Sequence, residues 1–170
     1  MARKPTVVNR IGSVATHGDQ RPHTIVLHST EGGGTGENVA AFWHRQGDGL
    51  GAHFHVGRNG RIVQFASSDK VCWAVYGHNT GYIHIEIEGY AAWSRARWLA
   101  APRQYLALAR LIAFLTARWG IRLAFDKAHG VCRHLDFRDV PASMYHHDPG
   151  PGFPTMALIQ AAKTQRRLGW

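Results

Sequence analysis

Between Thr24 and Thr30 the chain reads TIVLHST, a short apolar and β-branched run of the kind that forms a buried strand. The EGGGTG that follows can only be a loop, so His28 falls near the strand's C-terminal end. ENVAAFWHRQ, from Glu37, places Val39, Phe42 and Trp43 at helical spacing, and GDGLG then breaks the pattern. Three strand-like runs follow, AHFHVG, GRIVQFA and YIHIEIEG, with RNG as a turn between the first two. In the third, alternation sets Glu86 and Glu88 on one face with His84 beside them, and Ile83, Ile85 and Ile87 on the other.

From Pro102 to Trp119, apolar side chains at 105, 108, 112, 115 and 119 step by three and four, the period of one helix face against a core. WGIRLAFDKAHGVCRHLDF returns as a loop and a short strand, with His134 in it or at its end. TMALIQAAKTQRRLGW reads as a terminal helix whose last turns are basic, which suits the helix dipole. No repeat, low-complexity tract or linker divides the chain. The simplest assembly is α/β: one domain over 1–170, a mixed central β-sheet flanked by helices.

At 170 residues and 45% hydrophobic, the chain can bury one core of ordinary size. Lys and Arg number 20 against 11 acids, and the resulting +9 favours a polyanionic partner: nucleic acid, anionic lipid or an acidic cell-wall polymer. No arginine-rich helix with interleaved aromatics supports nucleic acid. The N-terminus lacks the apolar stretch of a signal peptide, and no run nears the ~20 apolar residues of a membrane span. A monomer made in the cytoplasm, without membrane insertion, is expected. Cys72 and Cys132 are expected to be reduced thiols.

Twelve histidines are a surplus, and the chemistry is sought among them. His28 ends a buried strand beside a glycine-rich loop, His134 holds a similar place, and Asp148 lies on the stiff loop YHHDPGPGFP. Two His and one carboxylate with a fourth position open are a known catalytic zinc set. Spacing alone leaves the metal open, since a lone His is commonly a hydrogen-bonded residue and Asp before Pro commonly starts a turn. His53 and His55, two apart, admit a metal pair or plain strand alternation. Cys132 offers a thiolate in place of Asp148, and His147 is expected to point away from the metal. Trp43, Trp73, Tyr76 and Trp93 suit either a sugar or peptide groove or the core.

TIVLHST, AHFHVGRNGRIVQ, HNTGYIHIEIEG, RHLDF and DPGPGFP occur in the order found in a known family. Over about 23–154 the chain resembles the zinc-dependent N-acetylmuramoyl-L-alanine amidases that share a fold with peptidoglycan recognition proteins. Residues 1–22 are then an N-terminal extension and 155–170 a C-terminal helix. The resemblance implies zinc ligands His28, His134 and Asp148, with Glu86 as general base. Some relatives carry tyrosine where this chain has Ala52, which places it in the glutamate branch. Relatives often carry lysine where His146 stands, and His146 is expected to stabilise the oxyanion. Zinc would polarise the amide carbonyl and acidify water, and Glu86 would take the proton and pass it to the leaving amine. Glu88 on the same face stays open as the base. The implied substrate is peptidoglycan, cut between N-acetylmuramic acid and L-alanine. The absence of a signal suits a phage or prophage endolysin that acts on the wall after release. A cytoplasmic muropeptide-recycling amidase would share every site residue, and a non-catalytic peptidoglycan-binding module would lack ligands that are present here.

Overall fold

The structure is a computed structural model in which residues 2–47 and 49–170 are described; Met1, and Asp48 within the predicted helix break, lie outside them. Six strands form one mixed sheet: β1 (Val8–Asn9), β2 (Thr24–Ser29), β3 (Phe54–Val56), β4 (Ile62–Gln64), β5 (Tyr82–Ile87) and β6 (Val131–Arg133), in the order β1-β4-β3-β5-β2-β6. Only β3 and β4 pair antiparallel, across the turn at Gly57–Gly60, where Gly60 takes φ +84°. The other four pairings are parallel, so β2, β3, β5 and β6 all end on the same side of the sheet.

Four helices complete the fold: α1 (Gly36–Gln46), α2 (Arg95–Leu99), α3 (Pro102–Trp119) and α4 (Thr155–Arg167). Alternation along the central strands decides which layer each residue feeds. Ile25 and Leu27 of β2, with Ile83, Ile85 and Ile87 of β5, pack into one core with Leu108, Leu111, Ile112 and Leu115 of α3 and Leu158 and Ile159 of α4. Val26 faces the opposite way, with Cys132, Val75 and Phe137. The expected α3 face holds at Leu108, Ile112 and Leu115, while Tyr105 and Trp119 are half-buried and the buried face widens to Gln104, Ala109, Leu111, Ala113 and Thr116.

In α1 the apolar spacing is misleading. The buried positions are Gly36 and Ala40, with Val39 and Trp43 half-buried, while Phe42 is 50% exposed. The helix lies so close to β4 that a Cβ on Gly36 would stand 2.8 Å from Val63. Small residues, not large ones, set that contact. The expected N-terminal extension contributes β1 to the sheet edge, and the amide of Arg3 donates to the carbonyl of Gly169.

The buried side chain of Gln104 ties this scaffold to the C-terminal strand ends. Its Nε2 donates to the carbonyls of Val56 (3.0 Å) and Glu88 (2.9 Å), which follow β3 and β5 to their common end. Gln104→Leu keeps the bulk but leaves the Glu88 carbonyl short of a partner, and is expected to destabilise the fold by about 1–3 kcal/mol. Urea denaturation checks this, and an unchanged midpoint would remove the clamp from the account.

Candidate metal centre

His28 is the penultimate residue of β2, and its in-register partner on β5 is Glu86. Both side chains project from the same face of adjacent parallel strands and both are buried. His134 opens a short 3₁₀ turn (His134–Asp136) directly after β6 instead of lying within the strand. Asp148 arrives from the Pro-Gly loop, where the Asp148–Pro149 peptide is cis. The carbonyl of Asp148 accepts the amide of Leu135 (2.9 Å), and its Oδ2 accepts the amide of Ser29 (3.1 Å). One residue is thereby stitched to both segments that carry the histidines.

The three functional groups converge. His28 Nδ1 lies 3.1 Å from His134 Nδ1 and 3.6 Å from Asp148 Oδ2, and His134 Nδ1 lies 3.2 Å from Asp148 Oδ1. Donors held ~2.0–2.1 Å from one ion at tetrahedral angles stand ~3.3–3.4 Å apart, so the three spacings suit a single zinc-sized cation. Burial opposes ionisation of Asp148, yet the adjacent imidazoles of His134 and His28 hold its carboxyl far below the usual range. Burial pushes His134 down, toward the neutral imidazole that a metal requires. Among the described residues, His28, His134 and Asp148 form the one such group of three or more His, Cys, Asp or Glu.

Glu86 supplies an observation independent of these distances. Its Oε2 is buried without a hydrogen-bond partner, and burial first, then the charges of Asp148 and Glu31, raise its carboxyl well above the ordinary range. A buried carboxylate oxygen with nothing to bind is costly unless a cation or a polar molecule meets it. Glu88, which alternation alone could not separate from Glu86, is differently employed. Its Oε2 accepts the amide of Arg58 (2.7 Å) and its Oε1 the amide of Gly34 (3.4 Å).

The remaining sequence candidates fall into place around this centre. The His146 ring stacks on His134 (4.5 Å, 14°) at the exposed rim, with Nδ1 3.7 Å from Asp148 Oδ1. His147 packs edge-on against Tyr145 instead of joining the cluster. Cys132 is buried with Val26, Val75 and Phe137 and contributes no ligand; Cys72 is likewise buried, its thiol pushed up to about 12 by desolvation, and both are free. His53 cannot join His55 as a metal pair, because its Nδ1 accepts the amide of His84 and its Nε2 lies 2.7 Å from the carbonyl of Lys70. Both ring nitrogens of His55 are buried and unpartnered. Trp73 and Tyr76 are exposed, the former stacked on His17 at 3.5 Å, whereas Trp43 packs on Phe65 and Trp93 on Trp98. Sequence reasoning assigned no role to His84, whose Nδ1 stands 3.1 Å from His28 Nε2. Its signal was a second histidine two residues before Glu86 on one strand face.

The sheet presents two imidazoles and a carboxylate at the C-terminal ends of its strands, a set that could hold one metal ion, with the carboxyl of Glu86 beside it. The chain belongs to the N-acetylmuramoyl-L-alanine amidase family, whose model matches residues 18–151. Solved structures share the fold at low identity. The endolysin N-acetylmuramoyl-L-alanine amidase LysCS from Clostridium intestinale is 22% identical with a TM-score of 0.75, over 96% of this chain and 99% of that one. The Staphylococcus aureus hydrolase AmiA is 18% identical with a TM-score of 0.76, over 99% and 89%. The Ph2119 endolysin from a Thermus scotoductus bacteriophage is 21% identical with a TM-score of 0.66, over 92% and 99%. A search of curated proteins found no match. Among the described residues, no helix is long and apolar enough to cross a membrane.

Proposed function

We propose that this protein is a zinc-dependent amidase that hydrolyses the bond between N-acetylmuramic acid and the L-alanine of the peptidoglycan stem, as a lysin of the bacterial wall. The observation that carries the reading is the convergence of His28, His134 and Asp148 beside the unpartnered carboxylate of Glu86, within a chain of the amidase family. Zinc held by those three residues would supply Lewis-acid polarisation of the scissile carbonyl and would lower the pKa of water toward ~7.

The chain's own groups do the rest. Glu86 Oε2 accepts the proton of the attacking water and returns it to the amine nitrogen as that group departs. Two features favour Glu86 over Glu88: its free oxygen, and the engagement of both Glu88 oxygens by backbone amides. His146, stacked on His134 at the exposed rim, donates an N–H to the oxyanion of the tetrahedral intermediate in this reading. Burial, followed by the neighbouring His134, lowers its pKa, so it acts as a neutral donor and not as the cation that a lysine would provide.

The +9 charge supports a polymeric acidic target over a small soluble one. Purified sacculi should lose turbidity and gain N-terminal alanine without new reducing ends. A chelator should stop the reaction and zinc should restore it. Higher rates on soluble muropeptides than on sacculi would move the reading to recycling, and chelator-insensitive wall binding without turnover would move it to a binding module. Binding to sacculi should also weaken as salt rises from ~0.05 to ~0.5 M, since exposed attraction is screened over ~10 Å at 0.1 M. Salt-independent binding would make the charge incidental.

A further inference from the structure

We infer that His84 is a positioning residue for the metal centre: by accepting Nε2–H of His28 at its own Nδ1, it fixes the tautomer in which His28 offers Nδ1 to the metal. The inference rests on the reading of His28 as a ligand through Nδ1, the atom that faces His134 and Asp148. A neutral imidazole carries one proton, so a His28 that ligates through Nδ1 must carry it on Nε2. Nε2 has His84 Nδ1 at 3.1 Å, between rings 62° apart, and both side chains are buried. The proton of His84 must then sit on its Nε2, an atom buried without a partner.

The opposite arrangement is chemically available and unproductive. If His84 Nδ1 carried the proton and donated it, His28 would hold its own on Nδ1, pointed at the ligand set and blocking it. The surroundings of His84 hold its ring for the productive role. Its backbone amide donates to His53 Nδ1 at 3.0 Å, and the His53 Nε2–H donates in turn to the carbonyl of Lys70. The His53 ring stacks on that of His84 (5.8 Å, 27°), with Tyr82 stacked at 6.4 Å. Partners of this kind, behind a metal-bound histidine, usually set ligand orientation at a cost of 10–100-fold in metal affinity when removed. Here the usual carboxylate or carbonyl is replaced by a second imidazole.

The test compares His84→Leu, which keeps apolar bulk without an acceptor, with His84→Asn, whose amide oxygen can stand near the position of Nδ1. Zinc dissociation constants come from competition with a chromophoric chelator, and thermal unfolding of the zinc-free proteins reports fold integrity. Binding is expected to weaken ~10–100-fold in His84→Leu and to return to within about threefold of the parent in His84→Asn. Equal affinity for parent and His84→Leu, or equal weakening in both variants with intact folds, would overturn the inference. Nitrogen-15 NMR of the unmutated, zinc-loaded protein decides the matter even if a variant fails to fold: His84 is expected as the Nε2–H tautomer with Nδ1 free to accept, and an Nδ1–H resonance from His84 would refute the assignment. Should the parent itself take up no zinc, the reading of the site fails instead, and the two failures are distinct.

Discussion

Zinc content should fall from about one per chain to near zero when Asp148 is replaced by alanine, and activity should fall with it. In the proposed site Asp148 would bring negative charge to two imidazoles, and it is bonded to both segments that carry them. Its loss removes a donor and loosens the geometry of the remaining two. Because removal of a residue behind a ligand typically costs 10–100-fold, loss of a ligand is expected to exceed ~100-fold in affinity. His28→Ala and His134→Ala should behave alike, since each leaves two donors where a buried zinc site needs three. Elemental analysis of the dialysed proteins and N-terminal alanine release from sacculi give the two readouts. Full zinc occupancy in all three variants would sink the assignment.

Glu86→Gln should produce the opposite pairing of results, with zinc retained and turnover reduced by ~10²–10⁴-fold. The substitution preserves shape and buries no new charge, yet an amide cannot accept and return a proton. Substrate binding should survive. Glu88→Gln is the necessary companion, because both acids lie on one strand face. Its carboxylate holds the amides of Arg58 and Gly34, so this change should loosen the loops at Gly34 and Arg58 and leave most turnover intact. If Glu88→Gln abolishes turnover with zinc bound while Glu86→Gln stays near full activity, the roles are reversed.

Periodicity was enough for β2, α3 and α4, because each is long or apolar enough for burial to dictate its pattern. It failed where a long-range approach sets the rule. Phe42 has the spacing of a core residue in α1, but the contact with β4 is made through Gly36, and that depends on a neighbour 27 positions along the chain. β1 is two residues long and exists only through its pairing with β4, so no local signal announces it. The ligand candidates were legible through their segments, whereas their convergence required the sheet order, which places β2 between β5 and β6. His84 was visible as a residue and invisible as a partner, since only the parallel register brings it beside His28. Alternation likewise could not show that backbone amides take both Glu88 oxygens and leave Glu86 Oε2 without a partner.

That sheet order has a consequence for how the protein comes into being. The pairs that build the centre span 56, 106 and 119 residues of chain, and the strands beneath them pair in parallel. Such separations make loop closure a leading cost of reaching the transition state, and they place folding in the slow regime of ~milliseconds to seconds. No fragment short of β6 and the Asp148 loop can present the full donor set. An ion held by the proposed centre would therefore reward only the finished topology, and by binding the native chain alone it would draw the population toward that state and away from partly assembled sheets with open edges.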